Sequence, residues 1–170
     1  MLDATALFEL GMDQDPPAND RAGTVVPLPG CAPRAHAPWS AETEADRKDY
    51  FIERDGHRYA GTHLIVDIWE AERLDDLAHI EATLKACVEA AGATLLHIHL
   101  HHFTPNGGVS GVAVLAESHI SVHTWPERGY AAFDVFMCGD ARPHAAIEVL
   151  RGAFRPARLI MDEHLRGRAP

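Results

Sequence analysis

Between residues 94 and 103 apolar and polar side chains alternate: Leu96, Ile98 and Leu100 fall on one phase, His97, His99 and His101 on the other. A period of two belongs to a strand with one buried and one open face, because successive side chains leave a pleated backbone on opposite sides. Such a strand cannot stand alone; its apolar side needs a covering layer and its edges need partners. The surrounding segments supply both. Residues 62–69 form an apolar, β-branched run typical of a buried strand. Residues 72–91 follow, with Leu74, Leu77, Leu84, Cys87, Val88 and Ala91 at three- and four-residue spacing, Asp75 and Asp76 near the start and Gly92 just past the end. That pattern predicts one amphipathic helix.

After the alternating strand, Pro105-Asn106-Gly107-Gly108 breaks the chain. Residues 109–117, 119–125 and 130–137 read as further strands, with Pro126 and Gly129 marking a turn between the last two. Residues 142–154 have a helical pattern and 157–162 offer a last strand. The order β-α-β-β-β-β-α-β predicts an α+β fold: a two-layer sandwich in which a mainly antiparallel sheet carries two helices on one face. On this reading the opposite, open face carries Ser118, His123 and Cys138.

With 170 residues, of which 46% are hydrophobic and 24% charged, the chain has the composition of a soluble globular protein with one core. Residues 1–56 are different. They hold six of the 11 prolines, and 11 acidic residues outnumber five basic ones without sustained apolar periodicity. This stretch is expected to be a Pro-rich, acidic, flexible extension, with a helical turn or two at 4–12 and Trp39 as a candidate anchor, ahead of a catalytic domain at 57–170. A formal charge of −10 repels phosphate backbones and argues against nucleic acid as a partner. No apolar run is long enough to cross a bilayer, and the N-terminus lacks a basic segment followed by an apolar one. Cys31, Cys87 and Cys138 are odd in number and lack CxxC spacing, so a reducing cytoplasm is the expected compartment.

The chemistry-bearing residues concentrate between Pro105 and Gly139, where strands expected to be neighbours contribute Ser110, Ser118, His119, His123 and Cys138. Singly, each has a plainer role as a turn residue, a satisfied histidine or a small buried thiol. A serine hydrolase is disfavoured because Ala116-Glu117-Ser118-His119-Ile120 is not a Gly-x-Ser-x-Gly elbow. A metal site on His97, His99 and His101 is disfavoured because no fourth ligand or general base accompanies the row; a solvated or interfacial polar face is the simpler reading. A third possibility is self-processing, with the Ser118 hydroxyl attacking the Glu117 carbonyl.

Five stretches bear on that choice: Gly61-Thr62-His63-Leu64, Phe103-Thr104-Pro105, Gly108-Val109-Ser110-Gly111-Val112, the run Glu117-Ser118-His119-Ile120-Ser121-Val122-His123-Thr124-Trp125-Pro126-Glu127, and Tyr130 through Gly139. Together, from about Gly61 to Gly167, they resemble the bacterial and archaeal S-adenosylmethionine decarboxylase proenzymes. The resemblance implies a pyruvoyl-dependent lyase of polyamine and spermidine biosynthesis, cleaved between Glu117 and Ser118, that dimerises to complete its active sites. It further implies that Ser118 becomes the pyruvoyl cofactor and forms a Schiff base with S-adenosylmethionine. His123, with support from Ser110, would move protons during processing, and Cys138 would protonate the product carbon. Phe103 and Glu127 would hold the adenosyl part. The Asn106-Gly107-Gly108 loop is one residue longer than in some members, and the extension before residue 57 lies outside the usual core. Two other readings remain: the same chemistry on ornithine or arginine, and an inactive paralogue that binds or regulates. Intact Glu117-Ser118, His123 and Cys138 argue against the second.

Overall fold

A computed structural model describes residues 51–54 and 56–168. The expectations for residues 4–12 and for Trp39 lie outside these. A short hairpin, β1 (Ile52–Arg54) and β2 (His57–Tyr59), spans the boundary expected at residue 56. The remaining elements are β3 (Gly61–Trp69), α1 (Leu77–Ala91), β4 (Leu95–His102), β5 (Val109–Leu115), β6 (Ser118–Trp125), a 3₁₀ turn (Pro126–Arg128), β7 (Tyr130–Met137), α2 (Pro143–Phe154) and β8 (Arg158–Arg166).

Six strands form one sheet in the order β4-β5-β6-β7-β3-β8, with antiparallel pairing throughout. The expected two-layer α+β sandwich is present. Strand periodicity explains it: Leu64, Val66 and Ile68 of β3, Ile120 and Val122 of β6, and Phe133 and Val135 of β7 are all buried at alternate positions. These side chains meet Ile80, Leu84, Cys87 and Val88 of α1 and Ala146, Ile147, Leu150 and Phe154 of α2 in one core. Both helices therefore cover the same face. Leu84 is fully buried at its centre. Leu84→Ala is expected to lower the unfolding free energy by about 2–5 kcal/mol, measured by denaturant titration.

Three boundaries and one strand register differ from the sequence reading. Helix α1 starts at Leu77 rather than 72, because Asp76 caps it by accepting from the His79 N–H at 2.9 Å. Ahead of it Glu70 and Arg73 take positive φ, so Leu74 is buried from a loop and Leu77 is left partly exposed. A bulge between Leu95 and His97 inserts one residue into β4, which turns Leu96 out to 65% exposure and leaves Leu95 on the core side. Strand β5 ends at Leu115, two residues early, since Leu115 pairs directly with Ser118 across a turn made by Ala116 and Glu117. Strand β8 runs on to Arg166 because β3 offers it partners from Trp69 back to Gly61.

Candidate active site

The sheet's open face carries the odd residues of β3 and β6, the even residues of β7 and their cross-strand partners. His97, His99 and His101 share it, on the edge strand β4. Consecutive members of that row stand about 6.6 Å apart along the strand. Among the described residues no group of three His, Cys, Asp or Glu side chains is placed to hold a metal ion.

The candidate residues separate into two groups at opposite ends of β6. At one end, Ser118 opens the strand and its Oγ accepts a hydrogen bond from the Cys138 N–H at 3.1 Å. Glu117, the residue before it, sits in the left-handed region at φ 60°. Such a conformation costs a non-glycine residue about 1–2 kcal/mol. The Cys138 thiol is pushed above its ordinary pKa, first by burial and then by the nearby Glu117 carboxylate, so it stays protonated at neutral pH. At the other end, His123 pairs in register with Ser110 of β5, and the Ser110 Oγ lies 2.9 Å from His123 Nδ1.

The expectation that Ser118, His123 and Cys138 share the open face is corrected here. Ser118 stands in register with Leu115, on the parity of the buried Ile120, whereas His123 has the opposite parity. Five strand residues also place their Cα atoms about 16 Å apart. Within one chain, Ser118 is joined to Cys138 and His123 to Ser110, and the two pairs do not meet.

Beyond the Ser110–His123 pair lies a cavity of about 260 Å³ lined by Phe103, Ser110, Thr124, Trp125 and Glu127 among others. Phe103 is positioned by a closed loop, its N–H donating to Gly108 O and its carbonyl accepting from the Gly107 N–H. Close approach of backbone shapes one wall: a Cβ on Gly108 would stand 2.8 Å from the Thr124 carbonyl oxygen, so no larger residue fits there without a shift. Thr124 ties the site to the core, accepting from the Val109 N–H and donating to Leu74 O. Phe103 and Glu127 thus line one cavity.

The family model described as S-adenosylmethionine decarboxylase matches residues 62–167. The chain belongs to the S-adenosylmethionine decarboxylase family. It is 47% identical over 108 residues to the S-adenosylmethionine decarboxylase proenzyme of Thermomicrobium roseum, covering 63% of this chain and 93% of that one. It is 46% identical over 113 residues to the proenzyme of Methanococcus aeolicus, covering 65% of this chain and 96% of the relative. The crystal structure of the adenosylmethionine decarboxylase from Aquifex aeolicus superposes with a TM-score of 0.60 at 32% identity, over 66% of this chain and 94% of that one.

Several open-face residues of this family member carry no role in the sequence reading. His63 Nε2 lies 3.3 Å from Asp134 Oδ1, Ser121 donates to Asp134 Oδ2, and the Arg166 guanidinium donates to His63 Nδ1. Burial is the first cause that lowers the His63 pKa. Tyr130 donates to Asp67. The signal that could have found them is the period of two in His63-x-Ile65-x-Asp67-x-Trp69, whose odd members face away from the helices.

Proposed function

We propose that the chain is a self-processing proenzyme that decarboxylates S-adenosylmethionine, yielding decarboxylated S-adenosylmethionine and CO₂ for polyamine synthesis in the cytoplasm. The observation that carries this reading is the Glu117-Ser118 turn of a family member, with Ser118 Oγ held by the Cys138 N–H. The Ser118 hydroxyl attacks the Glu117 carbonyl and converts the amide to an ester. His123 then removes the Ser118 α-proton, and elimination frees the Glu117 carboxylate and leaves a dehydroalanine end. Tautomerisation of that end to an imine, and hydrolysis of the imine by water with release of ammonia, leave a pyruvoyl group. The strained φ at Glu117 favours departure of this bond, since cleavage releases the constraint.

The residues present suit that group, for its precursor is Ser118 itself and a protonated thiol lies on the loop beside it. A pyruvoyl keto group supplies the electron sink for loss of CO₂ from a substrate amine. Cys138 delivers the proton to the product carbon. Phe103 stacks on adenine and Glu127 accepts from ribose hydroxyls across the shared cavity. Because His123 and Ser118 of one chain are far apart, a second copy brings its own His123–Ser110 pair to each Ser118. The working form is then a homodimer. Among the described residues no helix is long and apolar enough to cross a membrane.

Intact-mass analysis of the purified chain tests the processing: pieces of 117 and 53 residues are expected, the shorter blocked at its N-terminus. Assays with S-adenosylmethionine, ornithine and arginine then separate the substrates, turnover of the first alone being expected. A fully active, uncleaved chain overturns the reading. A pH profile adds an independent check. Glu117→Gln removes one of the two causes that hold the Cys138 thiol protonated. In the uncleaved Ser118→Ala background, the pH dependence of Cys138 alkylation, read by mass, is expected to move to lower pH, because thiolate forms more readily once the neighbouring negative charge is gone.

A further inference from the structure

Four side chains stand in one cross-strand row on the open face: Trp125 of β6 opposite Tyr130 of β7, Tyr130 opposite Trp69 of β3, and Trp69 opposite Arg158 of β8. They form a continuous stack. The Trp125 and Tyr130 rings lie 5.2 Å apart at 27°, Tyr130 and Trp69 lie 4.3 Å apart at 29°, and the Arg158 guanidinium sits 5.4 Å from the Trp69 ring. The Tyr130 hydroxyl donates to Asp67 Oδ1 at 2.5 Å, which fixes the middle ring in its plane. Of the stack, Trp125 alone lines the 260 Å³ cavity that also holds Phe103 and Glu127.

We propose that Tyr130, locked by Asp67, is a positioning residue that sets Trp125 and the turn bearing Glu127 as walls of the cavity taking the adenosyl part of the substrate. This rests on the S-adenosylmethionine reading given above. Trp125 is 41% exposed, and an indole that open at the end of a strand samples several rotamers unless one face is held. Tyr130 holds it. Trp125 and Tyr130 are also the residues that flank the Pro126–Arg128 turn, so their stacking closes the hairpin whose tip carries Glu127. The backbone supports the same closure: the Gly129 N–H donates to Pro126 O, and the Gly129 carbonyl accepts from the Ala71 N–H. One phenol therefore governs two walls of the cavity without touching what binds there.

The test compares Tyr130→Leu, Tyr130→Phe and Asp67→Asn with the unaltered protein. For each, mass gives the cleaved fraction and steady-state kinetics give kcat and KM for S-adenosylmethionine. Equilibrium dialysis gives the Kd of 5′-methylthioadenosine, an adenosyl probe that undergoes no decarboxylation. Tyr130→Leu is expected to cleave fully and to raise both KM and Kd about tenfold with kcat within about twofold, as loss of orientation in the bound state does. Tyr130→Phe keeps the stack but loses the lock, so it is expected to hold both about two- to threefold above the unaltered protein, and Asp67→Asn is expected to raise Kd by the same factor. A Tyr130→Leu protein with unchanged Kd and KM overturns the proposal, as does a Phe variant no better than Leu. If Tyr130→Leu does not fold, an unchanged Kd in both Tyr130→Phe and Asp67→Asn overturns it. Failure of the unaltered protein to decarboxylate S-adenosylmethionine sinks the reaction assigned above, and the dialysis series still decides the positioning role.

Discussion

Cys138→Ala is expected to split after Glu117 and yet to lose on the order of 10²–10⁴-fold in decarboxylation. The separation follows from which atom of Cys138 touches Ser118. Its backbone N–H, not its thiol, donates to Ser118 Oγ, so removing the side chain leaves the processing contact in place. The thiol enters afterwards. Burial and the Glu117 carboxylate keep it protonated at neutral pH, the state required of an acid that must deliver a proton to the product carbon. Mass spectrometry on the variant gives the cleaved fraction, and single-turnover CO₂ release per cleaved chain gives the chemical step. Cys138 is half-buried, so a melting curve must show that the variant is folded. A wild-type rate of CO₂ release assigns the proton to another group.

Much of this architecture is legible in the sequence because burial on one face writes itself as a period of two. Residues 130–137 are the clearest case: Ala131, Phe133, Val135 and Met137 are buried and every residue between them is not. The shortfalls have particular causes. No local pattern announces the bulge after Leu95: Ile98 and Leu100 keep the alternating phase, and only Leu96, which continues that phase in the sequence, is turned out. The helix start depends on positive φ at Glu70 and Arg73, which neither residue type signals. The extent of β8 depends on a partner strand nearly a hundred residues away. The site is half legible. Phe103 and Glu127 meet in one cavity because a loop and a turn at the same end of the sheet carry them. Ser118, His123 and Cys138 look like one cluster when their strands are taken as neighbours, but an odd spacing along a single strand both lengthens the separation and reverses the face. The partners His63, Tyr130 and Asp134 lie within the stretches that carry the resemblance and Asp67 lies between them, but their pairing with one another shows only in the strand register.

Ser118→Ala and His123→Ala are each expected to remain as whole 170-residue chains when made alone, and to regain cleavage when made together. Ser118→Ala lacks the attacking hydroxyl, and His123→Ala lacks the group that removes the α-proton from the ester. Within one chain the two residues sit about 16 Å apart on opposite faces of β6, too far for direct proton transfer. In a two-fold dimer packed through the open faces about an axis that crosses the strands, the two copies of β6 run in opposite senses, so the Ser118 end of one approaches the His123 end of the other. The open face has the apolar groups for such packing, with Ile65, Val114, Trp125 and Ile160 all exposed among its polar residues. A mixed dimer then contains one complete site, built from Ser118 of the His123→Ala chain and His123 of the Ser118→Ala chain, and one site lacking both. With equal amounts and random pairing, about half of the His123→Ala chains are expected to split, and none of the Ser118→Ala chains. Distinct affinity tags on the two chains identify the pieces by mass. If His123→Ala alone cleaves like the unaltered chain, His123 has no part in processing. If the mixture stays whole while each variant is folded and dimeric, processing uses only groups of the same chain.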